Sequence, residues 1–309
     1  MGMRGTRRAC SAHDSSRGGG ACAAALTASL ALLAACSSGG GSSTTPTSPS
    51  PPAQNAPVVY TAIGASDAAG VGASVPCLPL ATSCRESTAY VGLIQRRLAE
   101  TRTVALLNLA LPGGVLGPDI EAIGDELGRN IPGNFLTQLA PFVPPTTTLV
   151  TIFAGGNDTN TLALAVAAGR GGADPSSFVA QQVQGFARDY GRLIDSIRAR
   201  APGAFIVVAN LPNFGALPYL EGRPVAERRI VQDIAVRLTR EAINPLSSRV
   251  PVVDLMCEPR SYQPGTYSPD GFHPSDQGYA LVAETFLQAI TSGTAPAPPS
   301  SCAAMTLVG

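Results

Sequence analysis

The sequence contains no lysine and no tryptophan, and among its 309 residues only two histidines, His13 and His273. Every one of its 21 basic side chains is therefore an arginine. The missing lysine excludes Schiff-base chemistry, a Ser/Lys dyad and a P-loop lysine together. Charge is scarce as well, at 14% of residues, and the basic side chains are balanced by 21 acidic ones. Binding to phosphate backbones needs a clustered positive excess, so no nucleic-acid partner is indicated. Aromatic residues make up only 5% of the chain and give no clear platform for stacking sugars. What is plentiful is apolar. A hydrophobic share of 45% can bury a full core, which argues against disorder and suits one large domain or two of ordinary size.

Residues 1–35 read as an export signal, with Arg4, Arg7, Arg8 and Arg17 ahead of an apolar run from Ala21 to Ala35. At about 15 residues the run is shorter than the roughly 20 needed to span a bilayer. It closes on Leu33-Ala34-Ala35-Cys36, which resembles the lipobox of bacterial lipoproteins. That resemblance makes Cys36 the acylated first residue of the mature chain, anchored by lipid to a membrane of the bacterial cell envelope. An ordinary secretory signal, with a periplasmic or secreted product, is the alternative. Loss of the signal removes four arginines and Asp14, leaving 17 basic and 20 acidic residues and a net charge of −3. His13, Cys10 and Cys22 leave with it.

Residues 36–57 are rich in Ser, Thr, Pro and Gly, a composition that cannot bury enough apolar surface to fold and reads as a tether. Residues 58–292 then form the folded domain, and 293–309 a Pro-rich tail. Cys77, Cys84, Cys257 and Cys302 remain once Cys36 is acylated, an even number that suggests disulfides in an exported chain. Four cysteines allow three pairings. The favoured one joins Cys77 to Cys84 across a short loop and Cys257 to Cys302, pinning the tail to the domain. A reactive thiol or a metal site is the rival reading, but one remaining histidine leaves a metal few ligands.

Within the domain, apolar β-branched runs alternate with longer helical patterns. Strands are expected at 58–63, 103–109, 147–153, 205–209 and 250–255. Helices are expected at 89–100, 135–142, 176–200, 225–243 and 275–290. The longest carries Val179, Val183, Phe186, Tyr190, Leu193, Ile194 and Ile197 in steps of three and four, the spacing of one helix face. Strands alternating with helices imply a parallel sheet covered on both faces, in which sites form at the carboxyl edge of the strands.

Four strand ends carry candidate chemistry. After the first strand, Gly64-Ala65-Ser66-Asp67 sets a serine on a turn of small residues, open to attack or simply structural. After the second, Asn108-Leu109-Ala110-Leu111-Pro112-Gly113-Gly114 offers a glycine N–H to an anion without side-chain obstruction, or merely a turn. After the third, Gly155-Gly156-Asn157-Asp158 presents an amide that could join such a donor, or an Asn/Asp helix cap. After the fifth, Asp270 stands three residues before His273 on a turn punctuated by Pro269 and Gly271. A carboxylate so placed can fold back onto the imidazole and fix its tautomer. A ten-residue apolar stretch from Leu211 to Leu220 follows the fourth strand, either as a wall for an acyl chain or as ordinary packing.

Taken together, the four segments resemble the SGNH (GDSL) hydrolase superfamily, whose Ser, Gly, Asn and His fall in separate blocks in this chain order. The matching positions are Ser66, Gly113, Asn157 and His273, with Asp270 completing the DxxH element. The resemblance runs from about Val58 to Ile290. It implies an α/β fold, a three-layer αβα, flavodoxin-like sandwich on a five-stranded parallel sheet. It also implies an esterase or lipase working without a cofactor or metal on a small-molecule or lipid ester. Ser66 would be the nucleophile, His273 the base and Asp270 its orienting acid; Ser66, Gly113 and Asn157 would supply the oxyanion hole. Two departures stand out. Ala65 occupies the aspartate position of the GDSL motif, with Asp67 following the serine instead, and Gly113 has a second glycine, Gly114, beside it. Acyl transfer to a lipid or sugar and a non-catalytic surface binding module are the other functions this pattern leaves open.

Overall fold

The strand-forming runs are Val58–Gly64 (β1), Val104–Ala110 (β2), Leu149–Phe153 (β3), Phe205–Ala209 (β4) and Val252–Val253 (β5). They pair in parallel in the order β2-β1-β3-β4-β5, the doubly wound flavodoxin-like order. A computed structural model describes residues 49–309 of the chain, all of which fall in one compact unit. The export signal, His13, Cys10, Cys22, the acylation site expected at Cys36 and most of the tether lie outside the described residues. Among the described residues no helix is long and apolar enough to cross a membrane.

Burial on both faces explains why β3 and β4, LVTIF and FIVVA, are buried at every position rather than alternating with polar residues. Four of the hydroxyls carried into this core pair with one another. Tyr60 and Thr151 share a hydrogen bond of 2.8 Å, and Thr61 and Thr147 one of 3.0 Å, which removes the cost of burying them alone.

The helices are Ser66–Ala69 (α1), Tyr90–Leu98 (α2), Pro118–Glu126 (α3), Phe135–Gln138 (α4), Gly156–Ala167 (α5), Pro175–Arg200 (α6), Val225–Arg237 (α7) and Asp276–Ser292 (α8). Contacts divide the longer ones: α2 packs on α8, whereas α5 packs on α3, α6 and α7. In α6 the seven residues of the expected stripe are all buried. Its start is set by Asp174, whose carboxylate accepts from the Ser177 N–H at 3.0 Å, and by Pro175 at the first helical position.

Three differences from the sequence expectations have local causes. The strand expected at 250–255 is only two residues long. Pro251 has no N–H to donate, and Asn210 Oδ1 takes the Leu255 and Met256 N–H groups at 2.7 and 3.1 Å, drawing the chain out of the ladder. The expected 225–243 helix widens into a π turn over Leu238–Ile243. Finally, α3 and α5 are helices that the apolar periodicity does not announce, because PDIEAIGDE and GNDTNTLALAVA open on residues of weak helix propensity.

Both disulfides form as favoured, Cys77–Cys84 and Cys257–Cys302. The segment beyond α8 returns to the domain. Met305 and Val308 are buried, Asn213 Nδ2 donates to the Ala304 carbonyl at 2.8 Å, and the Gln232 amide bonds Val308 through both its oxygen and its nitrogen.

Candidate active site

β1 ends at Gly64, and two residues later Ser66 opens the single turn of α1. Its cap residue, Ala65, gives no side-chain hydrogen bond, so the turn before the serine runs without the carboxylate of the GDSL pattern. The turn is held instead from its far end. Asn108, buried near the end of β2, donates to the carbonyls of Ala68 and Cys77 at 2.9 and 2.8 Å. Ser66 itself is 8% exposed.

The histidine arrives from the opposite end of the chain, on the loop before α8. That loop folds back on itself: Ser268 N–H donates to the His273 carbonyl and Gly271 N–H to the Ser268 carbonyl, both at 2.8 Å. Gly271 takes φ +72°, and a Cβ there would stand 2.5 Å from the Tyr219 nitrogen, so the turn requires glycine. Asp270 Oδ1 accepts from the Ser268 hydroxyl and from the backbone N–H groups of Phe272 and His273, each at 2.9 Å. Oδ2 stands 2.6 Å from His273 Nδ1, and His273 Nε2 stands 2.8 Å from Ser66 Oγ. Partial burial pushes the Asp270 pKa up, but the bonds from His273, Phe272 and Ser268 outweigh it and hold the carboxyl at about 2. An ionised Asp270 can only accept, so Nδ1 carries the proton and the Nε2 lone pair faces the serine hydroxyl.

The Gly113 and Asn157 loops are tied to each other. Asn157 Nδ2 donates to the Gly114 carbonyl at 2.9 Å, and Asp158 Oδ1 accepts from the Leu116 N–H at 2.9 Å. These two bonds lock the loop after β2 to the first turn of α5, whose cap is Gly155 rather than Asn157 or Asp158. The Asn157 amide keeps a second N–H. Gly113 sits at φ +84°, and among the described residues its N–H meets no acceptor. Beside it, Gly114 joins Ser66, Asp67, Gly156 and Asn157 around a recess of about 10 Å³, room for about one water or one oxyanion.

Aromatic side chains that no motif marks close the site. Phe272 meets the His273 ring edge-on at 4.9 Å, stacks on Phe214 at 5.4 Å and takes the edge of Tyr219 at 5.0 Å. Phe214 thus turns toward the site, and it is buried like Leu211 and Leu217 of the same apolar stretch. Asp67 lines the recess and a second cavity of about 30 Å³ bounded by Phe153, Leu255 and Val282. Burial raises its pKa, with the charge of His273 pulling the other way.

A flavodoxin-like sheet with a Ser-His-Asp hydrogen-bond chain across its carboxyl edge defines the SGNH type of α/β fold. Residues 62–281 match the GDSL-like lipase/acylhydrolase family, and the chain belongs to that family. Among solved structures it is similar to an extracellular lipase from Streptomyces rimosus, at 21% identity and a TM-score of 0.50 over 75% of this chain and 99% of that one. It is similar also to phospholipase A1 from Streptomyces albidoflavus NA297, again at 21% and 0.50, over 75% and 98%. At that identity the likeness speaks for the fold. No curated protein sequence matches significantly.

Proposed function

We propose that the protein hydrolyses carboxylic esters through a serine acyl-enzyme. The observation that carries this reading is the unbroken chain from Ser66 Oγ through both His273 nitrogens to Asp270, with spacings of 2.8 and 2.6 Å. Ser66 Oγ attacks the ester carbonyl as its proton passes to His273 Nε2, and the imidazolium that forms is stabilised by Asp270. The carbonyl oxygen, now negative, takes hydrogen bonds from the N–H groups of Ser66 and Gly113 and from the free amide N–H of Asn157. His273 returns its proton to the departing alcohol. Water then repeats the sequence on the acyl-serine, releasing the acid and restoring Ser66. Ser66→Ala or His273→Ala should cut turnover of a short-chain nitrophenyl ester by at least about 10⁴-fold, since the triad acts as a unit. Full activity in a correctly folded Ser66→Ala protein would refute the mechanism.

The two disulfides accord with an oxidising compartment, and we place the protein outside the cytoplasm, acylated on Cys36 and tethered through residues 36–57. Metabolic labelling with a radioactive fatty acid tests the anchor: label should enter the natural chain and be absent from Cys36→Ser.

A further inference from the structure

Eight large hydrophobic side chains are exposed among the described residues, and four of them, Val71, Val75, Leu78 and Leu80, fall within ten consecutive positions. The stretch from Ala68 to Cys84 holds no charged residue. It is firmly held. The Cys77–Cys84 disulfide closes it, and Leu80 N–H and the Ala81 carbonyl both bond the Asn108 backbone, at 2.7 and 3.0 Å. Asp276 accepts from Ser74 N–H and from the hydroxyls of Ser74 and Thr88 at 2.8, 2.6 and 2.6 Å. With its backbone so satisfied, the loop leaves Leu78 64% and Leu80 69% exposed. Leu80 does so at φ +62°, a left-handed conformation that is unfavourable for a branched side chain. Leucines held outward at a conformational cost call for a partner.

The loop also borders the reaction centre. Val71 N–H donates to the Ser66 carbonyl at 3.0 Å, the Tyr279 hydroxyl donates to the Val71 carbonyl at 2.6 Å, and Gly72 lies against Ser268 and Pro274 of the histidine loop. We propose that this loop is a docking patch for the apolar surface of aggregated lipid, seating the mouth of the active site on the interface that holds its substrate. The proposal rests on the esterase reading and narrows its substrate class to esters presented in lipid assemblies. The chemistry of the patch favours lipid over a protein partner. It offers Val, Leu and Pro with no aromatic, Met or Arg, the residues that anchor protein interfaces, whereas aliphatic groups inserted into hydrocarbon gain from burial alone.

The test uses residues 37–309, exported behind a cleavable signal; they contain the whole of the compact unit and lack the acylation site. Co-sedimentation with phosphatidylcholine vesicles is compared for this parent, for Leu80→Asn and for Leu78→Ser/Leu80→Asn. Asparagine tolerates the left-handed backbone, so these variants should fold, as thermal melts will check. Each leucine should contribute about tenfold to partitioning, so the double variant should bind about a hundredfold more weakly. Its rate on a dissolved short-chain nitrophenyl ester should stay within about twofold of the parent. A parent that does not sediment, or variants that sediment equally well, would overturn the proposal. So would parent oligomers in sedimentation velocity that the substitutions dissolve, which would assign the patch to protein contact. Failure of every protein on the dissolved ester would instead sink the esterase reading, while sedimentation still decides the docking.

Discussion

Asp158 is a carboxyl held inside the domain. It is 1% exposed, its Oδ1 takes the Leu116 N–H, and burial pushes its pKa from 3.8 up to about 7. The folded state therefore holds this proton more tightly than the unfolded chain. Stability contributed by the neutral acid is complete below about pH 4 and is lost as the pH rises toward 7. Each pH unit in that window weakens the fold by about 1.4 kcal/mol, about 4 kcal/mol in all. Asp158→Asn keeps an oxygen for Leu116 N–H and cannot ionise. Its new amide N–H groups carry a fixed cost of about 1–3 kcal/mol if left unpartnered, but that cost does not change with pH. The informative quantity is hence the difference between the two proteins. Relative to the natural chain, the variant should gain about 4 kcal/mol between pH 4 and pH 8. Urea unfolding of both proteins across that range measures it, and titration of all other groups cancels in the comparison. A gap that stays constant within about 1 kcal/mol would show that Asp158 ionises as easily folded as unfolded, and the reasoning would fail. Because Asp158 bonds a backbone N–H rather than the recess, ester turnover should survive the change.

Other outcomes can be stated briefly. Asn157→Ala removes a donor proposed for the oxyanion and should lower kcat by about 10²–10³ with KM little changed, a residual rate that steady-state kinetics can resolve. Gly271→Ala places a Cβ 2.5 Å from the Tyr219 nitrogen in a left-handed turn; thermal melts should show a loss of at least about 1–2 kcal/mol, with a fall in kcat as the histidine loop shifts. Cys302→Ser opens a link spanning 45 residues and should cost about 2–4 kcal/mol in denaturant unfolding.

The parts legible in the sequence are those governed by local pattern. The stripe from Val179 to Ile197 fixes the long helix α6, and β4 falls at 205–209 as expected, because continuous apolar runs and three-four spacing are properties of neighbouring residues. Ser66, Asn157 and His273 stand out because they follow strand ends among glycines, and Asp270 because it lies three positions from its histidine. What stayed hidden depends on long reach. Asp158 meets Leu116 across 42 positions, and Phe214 meets Phe272 across 58; nothing near either residue announces the other. The ladder break after Val253 is equally silent, since the side chain responsible is Asn210, just past the end of β4. Ala65, the departure from the GDSL pattern, shows how remote groups replace local ones: the nucleophile turn is tied down by Asn108 instead of by a carboxylate beside the serine.

The segment after α8 has a meaning for the site beyond covering the core. Asn213, the residue before Phe214, donates to the Ala304 carbonyl, and the Gln232 amide that accepts from it also bonds Val308. The aromatic wall is thus braced from behind by a strut that, among the described residues, the Cys257–Cys302 bond alone clamps covalently to the domain. The state of that one bond should accordingly set how stiff the wall is. Opening this bond alone, with Cys77–Cys84 kept intact beside the turn of Ser66, should leave Ser66, His273 and Asp270 in place while the aromatic wall loosens, so substrate preference, rather than activity as such, should report the state of Cys257–Cys302.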